Sequence, residues 1–183
     1  MTRVGVTGHR RLDVTAALER AIDDVLGRIA VAFSTPLTIV SPLAEGADQL
    51  VVRRAIALGH RKLIVPLPLP QDDYLRSFEL AEARGEFLRL VAQADEVVVM
   101  DEAPSHVDAY HAVGRWVLDH SEVLLAIWDG EPPRGEAGTG AIVDEARERG
   151  LPVAWVRVEQ NAAHANESAP SATGKVGVRY ERL

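Results

Sequence analysis

Short apolar runs bounded by turn residues recur along the chain, and each of them predicts a strand. They cover residues 4–7, 37–41, 62–67, 96–100, 122–128 and 152–158. The runs are rich in Val and Ile and show little alternation between apolar and polar positions. That pattern is typical of strands buried on both faces of a parallel sheet, so we expect these segments to share one buried sheet.

Helical patterns separate the predicted strands. The first helix places Val14, Leu18, Ile22, Val25 and Ile29 on one buried face, with Asp13 as its N-cap. Further helices are expected over residues 47–58, over 72–94 with a kink or break at Gly85, and over 107–120 and 139–149. This alternation, with right-handed crossovers, predicts an α/β fold: a three-layer, doubly wound (Rossmann-like), mostly parallel sheet with helices on both faces.

The alternating pattern stops at Val158 and divides the chain in two. Residues 1–158 form the predicted Rossmann-like domain. We predict a mobile C-terminal tail over residues 159–183, because residues 160–174 are rich in Ala, Ser, Asn and Glu without an apolar period. The pattern of residues 175–183 is compatible with either a short edge strand or disorder.

Composition excludes several classes of protein. The chain has no cysteine, which excludes a disulfide scaffold and Cys-ligated metal sites. No run approaches the roughly 20 apolar residues of a membrane span, and the N-terminus has no apolar signal region. We therefore expect a cytoplasmic protein without a membrane partner. His106, His111 and His120 do not share one helix face, and we expect neither a metal nor a cofactor.

The net charge of −7 makes nucleic acid an unlikely partner, because DNA-binding proteins usually present a basic surface. Ligands of a doubly wound sheet bind outside the carboxyl ends of its strands, near the switch point of the strand order. Polar and glycine-rich segments occupy several of these positions. The predicted ligand-binding residues are Thr7, Gly8, His9 and Arg10 after the first strand, Ser41, Glu45, Gly46 and Asp48 after the second, and Asp129, Gly130, Gly138, Thr139 and Gly140 after the fifth.

Three glycines near Thr139, at positions 135, 138 and 140, precede the last helix and predict a phosphate-binding loop. Backbone N–H groups and the helix dipole favour an anion at such a junction. The spacing matches neither a P-loop nor the G-x-G-x-x-G fingerprint, so ordinary NAD binding is not expected. Arg10 suits bidentate recognition of phosphate or carboxylate.

Each candidate also has a purely structural interpretation. Gly8 and Gly46 could be required by turns, and His9 could be a hydrogen-bonded loop residue. Asp48 could cap its own helix. Asp129 could close the following loop through an Asx turn.

The segment Ser41-Pro42-Leu43-Ala44-Glu45-Gly46-Ala47-Asp48 resembles the S-G-x-A-x-G-x-D segment of the Rossmann-like DNA-processing protein A family. Together with Gly8-His9-Arg10 and Gly138-Thr139, the pattern is similar to the SLOG superfamily, which includes the lysine-decarboxylase-like LOG proteins. The resemblance covers residues 3–158 and implies a nucleotide-binding, oligomeric domain. It places Gly138, Thr139 and Gly140 in the phosphate loop, and Gly46 and Asp48 in the second-strand motif.

LOG hydrolases carry a glutamate two residues after the Gly-Thr of their phosphate loop, where this chain has Ala141. Their paired Arg-Lys also has no clear counterpart. We therefore expect a domain that binds a nucleotide or a nucleotide-derived small molecule. The alternative is a nucleotide hydrolase that cleaves an N-glycosidic or phosphate bond, with Glu45, Asp48, Asp129 or His9 as acid or base. A third hypothesis, single-stranded nucleic-acid binding, is disfavoured by an aromatic content of 5%.

Overall fold

A computed structural model describes residues 1–132, 138–159 and 176–183. In chain order these residues form β1 (Thr2–Gly8), α1 (Ala16–Ala32), β2 (Leu37–Val40), α2 (Ala47–Ala57), β3 (Lys62–Leu67), α3 (Gln71–Arg76), α4 (Ala81–Val91), β4 (Glu96–Val99), α5 (His106–Asp119), β5 (Val123–Trp128), α6 (Thr139–Glu148), β6 (Val153–Arg157) and β7 (Gly177–Glu181). Residues 134–137 of the glycine-rich stretch and 160–174 of the predicted tail lie outside the described residues. Within the described ranges, no helix is both long and apolar enough to cross a bilayer.

All seven strands belong to one sheet in the order β4-β3-β2-β1-β5-β6-β7. β1 to β6 pair in parallel, and β7 pairs antiparallel with β6. The predicted α/β, mostly parallel, doubly wound class is confirmed. The chain first builds the sheet outward from β1 through β4, and then returns to place β5 on the other side of β1. The carboxyl ends of β1 and β5 therefore meet at the switch point of the strand order.

Helices cover both faces of the sheet, as β5 shows by the alternation of its side chains. Val123, Leu125 and Ile127 belong to the larger apolar cluster, which includes residues of α1 and α2. Leu124, Ala126 and Trp128 belong to a second cluster with residues of α5 and α6. Successive side chains of a strand point to opposite faces, so a fully buried strand needs an apolar layer on each side.

A short edge strand is present near the end of the chain. Residues 177–181 form the edge strand β7, whose Glu181 lies opposite Val153 of β6. The Glu181 carboxylate accepts two hydrogen bonds from the Arg147 guanidinium of α6, from Nε at 2.9 Å and from an Nη at 2.8 Å. The described end of the chain is therefore part of the sheet.

Helix α1 begins two residues later than predicted. Thr15 is its N-cap, and the Thr15 hydroxyl accepts a hydrogen bond from the Leu18 N–H. Asp13 lies two residues before this N-cap position, so its prediction as the N-cap was wrong. Val14 was also predicted incorrectly, because it precedes the helix and is 54% exposed. The remaining predicted stripe from Leu18 to Ile29 is buried as expected.

Residues 72–94 contain two helices, and the break between them is not at Gly85. Helix α3 ends at Arg76, α4 begins at Ala81, and Gly85 lies inside α4. The Glu45 carboxylate accepts hydrogen bonds from the N–H groups of Glu79 and Leu80, which stabilises the chain reversal before α4. The break between α3 and α4 therefore coincides with a tertiary contact from Glu45, and not with Gly85 as the sequence predicted.

Gly85→Ala is expected to stabilise the protein by about 0.5–1 kcal/mol, because glycine is unfavourable in a helix interior. A Cβ at Gly85 would meet no atom within 4 Å. Gly114→Ala in α5 is the matched control: its Cβ would lie 2.4 Å from Cδ1 of Ile142, the movable end of that side chain, so it should gain less stability than Gly85→Ala. Urea unfolding followed by circular dichroism measures both. A lowered midpoint for Gly85→Ala would contradict the prediction.

Candidate functional site

A cavity of about 420 Å³ opens at the switch point, outside the carboxyl ends of β1 and β5. The loop after β2, one face of α5 and the N-terminus of α6 complete its walls. Its volume falls within the range of about 300–1,000 Å³ that is usual for small-molecule sites. The predicted residues that line it are Thr7, Gly8, His9, Arg10, Asp48, Asp129, Gly138, Thr139 and Gly140.

His9 and Asp129 join the loops that follow β1 and β5. The His9 N–H donates to the Ile127 carbonyl at 3.1 Å. His9 Nε2 lies 3.2 Å from both the Asp129 backbone nitrogen and the Asp129 Oδ1. An unprotonated Nε2 accepts from that N–H, whereas a protonated Nε2 donates to Oδ1, so the tautomer selects one bond. Asp129 Oδ1 also accepts from the Glu131 N–H at 2.9 Å, which forms the Asx turn considered from the sequence.

Gly8 and Gly46 permit close contacts between backbone segments. Gly46 has φ +91°, and a Cβ there would lie 2.2 Å from the Arg10 carbonyl oxygen. The Ala47 N–H donates to the His9 carbonyl at 3.0 Å, so the loops after β1 and β2 lie directly against each other. A Cβ at Gly8 would lie 2.4 Å from the Ala47 Cβ. Loop packing therefore accounts for both glycines.

Ser41 and Asp48 hold the loop after β2 in an unusual conformation. The Ser41 hydroxyl donates to Asp48 Oδ2 at 3.1 Å and accepts from the Leu43 N–H at 3.1 Å. The Ala44 N–H donates to the same Oδ2 at 3.3 Å. Leu43 has φ +56°, a left-handed conformation that these bonds support. Both of these hydrogen bonds reach Oδ2 and neither reaches Oδ1, and Asp48 is one of the residues that line the cavity.

Burial raises the pKa of Asp48 to about 7, although the hydrogen bonds from Ser41 and Ala44 and the charge of Arg10 act in the opposite direction. The Asp48 side chain is therefore a mixture of carboxylic acid and carboxylate near neutral pH. Such a group can donate or accept a proton inside the cavity.

Four predicted site residues do not line the cavity. Ser41 is fully buried in the loop network, and Glu45 is used to orient the start of α4. Gly46 lies beneath the loop after β1. Gly130 has φ +88°, and a Cβ there would lie 2.9 Å from the Trp155 ring. We therefore leave Ser41, Glu45, Gly46 and Gly130 out of the proposed site.

The N-terminus of α6 faces the cavity through Gly138, Thr139 and Gly140. Gly138 is the N-cap and supplies no side-chain hydrogen bond, and the first turn of α6 contains no acidic residue. The first N–H groups of a helix have no partner within the helix. With the positive end of the helix dipole, they favour an anion at this wall of the cavity.

The sequence did not identify the aromatic and α5 residues of the cavity, among them Tyr74, Tyr110 and Trp128. Tyr110 was assigned to the buried face of its helix, where an aromatic residue needs no functional explanation. In the structure its ring centroid lies 5.2 Å from the Arg10 Cζ and 6.1 Å from that of Tyr74. Among the described residues, the Tyr110 hydroxyl is the only buried side-chain polar group without a hydrogen-bond partner. The one feature of the sequence that could have indicated a role in the site was the hydroxyl group of a tyrosine on a predicted buried helix face.

Neither a protein-family model nor a curated protein matches the sequence. Among solved structures, the chain is similar to DNA processing protein A from Helicobacter pylori, described for its single-stranded DNA binding mode, with a TM-score of 0.58 and 17% identity over 88% of this chain and 67% of that chain. It is also similar to TM1055, with a TM-score of 0.49 and 17% identity over 84% of this chain and 72% of that chain. It is also similar to the molybdenum cofactor carrier protein of Chlamydomonas reinhardtii, with a TM-score of 0.45 and 17% identity over 84% of this chain and 75% of that chain.

The match to the H. pylori protein confirms the Rossmann-like architecture. The chain spans about two thirds of that relative's length. At 17% identity the similarity concerns the fold, so the chemistry of the site has to be argued from the cavity itself.

Proposed function

We propose that the protein binds a phosphate-bearing small molecule of the nucleotide type in the cavity at the switch point. The observation that carries the proposal is the convergence of the α6 N-terminus and the loops after β1, β2 and β5 on one cavity. Neighbouring strands lie about 4.8 Å apart, so the ends of β5, β1 and β2 together span about 10 Å. That span suits a ligand with a phosphate at α6 and a second polar group near Arg10 and Asp48.

Charge supports the same orientation of the ligand. Three acidic residues, Asp48, Asp129 and Glu131, line the cavity, and burial keeps Asp48 partly protonated near neutral pH. Arg10 also lines it, and its one hydrogen bond to the described part of the chain is a long contact of 3.5 Å to the Ser77 carbonyl. Thr139 adds a hydroxyl at the first position of α6. The α6 N-terminus thus attracts a phosphate, while Arg10 is available to acceptor atoms elsewhere on the ligand.

Thr139→Asp is expected to weaken nucleotide binding by at least about tenfold, because a carboxylate at the α6 N-terminus repels the phosphate and takes its place. The control is Ala16→Asp, which introduces the same charge at the first position of α1, away from the cavity. Calorimetry and thermal shift with nucleoside 5′-monophosphates and the matching nucleosides measure binding. Equal affinity for nucleosides and monophosphates, or equal losses in the two variants, would contradict the proposal.

A second candidate function is hydrolysis of the bound nucleotide, favoured by one observation: Asp48 is a cavity-lining carboxyl whose pKa lies near 7. Glu45 is removed from the predicted acid–base candidates by its contacts with Glu79 and Leu80. Release of free base or ribose phosphate from the same ligand panel would establish turnover. Stabilisation without product supports binding alone.

Two further predictions are tested in the same preparation. Binding of a single-stranded oligonucleotide tests the nucleic-acid hypothesis. The net charge of −7 argues against this hypothesis, because it repels the phosphate backbone. Light scattering after size-exclusion chromatography measures the oligomeric state, which stays a prediction from the family resemblance.

A further inference from the structure

Arg10, Asp48, Tyr74 and Tyr110 form a polar cluster in the cavity wall. The Arg10 guanidinium lies over the Tyr110 ring, and the Tyr110 and Tyr74 rings are neighbours. Burial acts to lower the pKa of Arg10, but the nearby Tyr110 hydroxyl and the Asp48 charge raise it overall. The same Asp48 charge acts on Tyr74. Arg10, Tyr110 and Tyr74 are therefore neighbours, and Asp48 lines the same cavity.

The unsatisfied atoms of the cluster form a pattern of donors and acceptors. The Tyr110 hydroxyl is buried and makes no hydrogen bond of good geometry within the described residues, although it lies close enough to the Arg10 guanidinium to raise the pKa of Arg10. Such a buried hydroxyl is rare in folded proteins unless a ligand or water completes it. Arg10 adds N–H donors without a described carboxylate partner, and Asp48 Oδ1 is an acceptor because Ser41 and Ala44 both bind Oδ2. The wall therefore offers donors from Arg10 and Tyr110 beside an acceptor on Asp48.

We propose that this cluster recognises the edge of a 6-oxopurine ring, so that the ligand is a guanine or hypoxanthine mononucleotide. The inference rests on the proposed nucleotide-binding function. A 6-oxopurine presents the O6 and N7 acceptors that arginine reads as a pair, and its adjacent N1–H is a donor. Arg10 and Tyr110 bind the acceptors, and Asp48 Oδ1 accepts from N1–H. Adenine has an N6 amino group where a 6-oxopurine has O6, so it would place a donor against the donors of Arg10 and Tyr110.

The test compares binding of GMP, IMP, AMP, CMP and UMP by calorimetry. We expect GMP and IMP to bind at least about tenfold more tightly than AMP, CMP or UMP, because the other bases leave buried polar groups unpaired. If none of the five monophosphates binds, the proposed function fails together with this inference. If all bind equally, or AMP binds best, the nucleotide-binding function stands and the 6-oxopurine assignment is overturned.

Two variants test the assigned atoms. Tyr110→Phe keeps the ring and is expected to weaken GMP and IMP binding about three- to tenfold, the effect of one hydrogen bond. Asp48→Asn places its carbonyl towards Ser41 and Ala44 and its amide N–H₂ towards the cavity, so the GMP preference over AMP should fall about tenfold. Tyr180→Phe in β7 is the control and should change nothing. Losses of the same size for all nucleotides in both cavity variants would overturn the assignment.

Discussion

Gly46→Ala is expected to destabilise the fold by about 3 kcal/mol or more, the largest loss expected for alanine at any of the described glycines. Gly46 combines φ +91° with a Cβ position 2.2 Å from the Arg10 carbonyl oxygen and 2.6 Å from the His9 carbonyl oxygen. Both clashing atoms are backbone and cannot rotate away. Relief requires separating the loops after β1 and β2, which also form the cavity. Urea unfolding and nucleotide binding should therefore both be impaired.

Gly59→Ala provides a control with the same backbone conformation. Gly59 also has φ +91°, but a Cβ there would meet nothing within 4 Å. Only the conformational cost of about 1–2 kcal/mol is expected. The difference between the two variants isolates the contact between the loops. If Gly59→Ala and Gly46→Ala lose equal stability, the loop contact has no energetic importance.

Asp48→Asn is expected to gain stability relative to the wild type as the pH rises. The unfolded chain releases the Asp48 proton near pH 3.9, whereas the folded protein holds it up to about pH 7. The free energy of unfolding of the wild type therefore falls between these two pH values, by about 4 kcal/mol for this one group. Asparagine does not titrate. The advantage of Asp48→Asn over the wild type should consequently be about 4 kcal/mol larger at pH 8 than at pH 4.

Asp95→Asn is the control of opposite sign. Hydrogen bonds from Lys62 and from the Leu63 N–H lower the pKa of Asp95, so its contribution to stability is present above its unfolded pKa and lost as the pH falls. Urea midpoints measured from pH 3 to pH 8 compare both variants with the wild type, because the Asp95 contribution begins to be lost only near the unfolded pKa of about 3.9. A difference between Asp48→Asn and the wild type that does not vary with pH would show that Asp48 is not buried in its acid form.

The second-strand motif shows how far residue types can predict a site. Ser41, Glu45, Gly46 and Asp48 were all assigned to a ligand. Hydrogen bonds occupy Ser41 and Glu45, close backbone contact accounts for Gly46, and only Asp48 lines the cavity. Polar residues and glycine at this spacing suit a ligand and a strained loop equally well. The distribution of hydrogen bonds, which a sequence does not contain, distinguishes the two.

The cavity wall formed by α5 was missed for a related reason. An apolar stripe predicts which face of a helix is covered, but it does not distinguish a face packed on the sheet from one that borders a cavity. Tyr110 lies on that stripe and also lines the cavity, and its hydroxyl is buried. Its pairing with Arg10 joins residues that are far apart in the chain, so no local pattern could have predicted it.

The sequence by itself determined the sheet and its class, because apolar runs separated by amphipathic stripes can bury their side chains only in a parallel sheet covered on both faces. It also predicted the loops at the switch point, since parallel strands place their carboxyl ends on one edge. Only the tertiary structure decided where α4 begins, which loop residues face the cavity, and how Arg10, Asp48 and Tyr110 meet. Those outcomes depend on contacts between distant segments, where hydrogen bonding and close approach of backbones outweigh local preference.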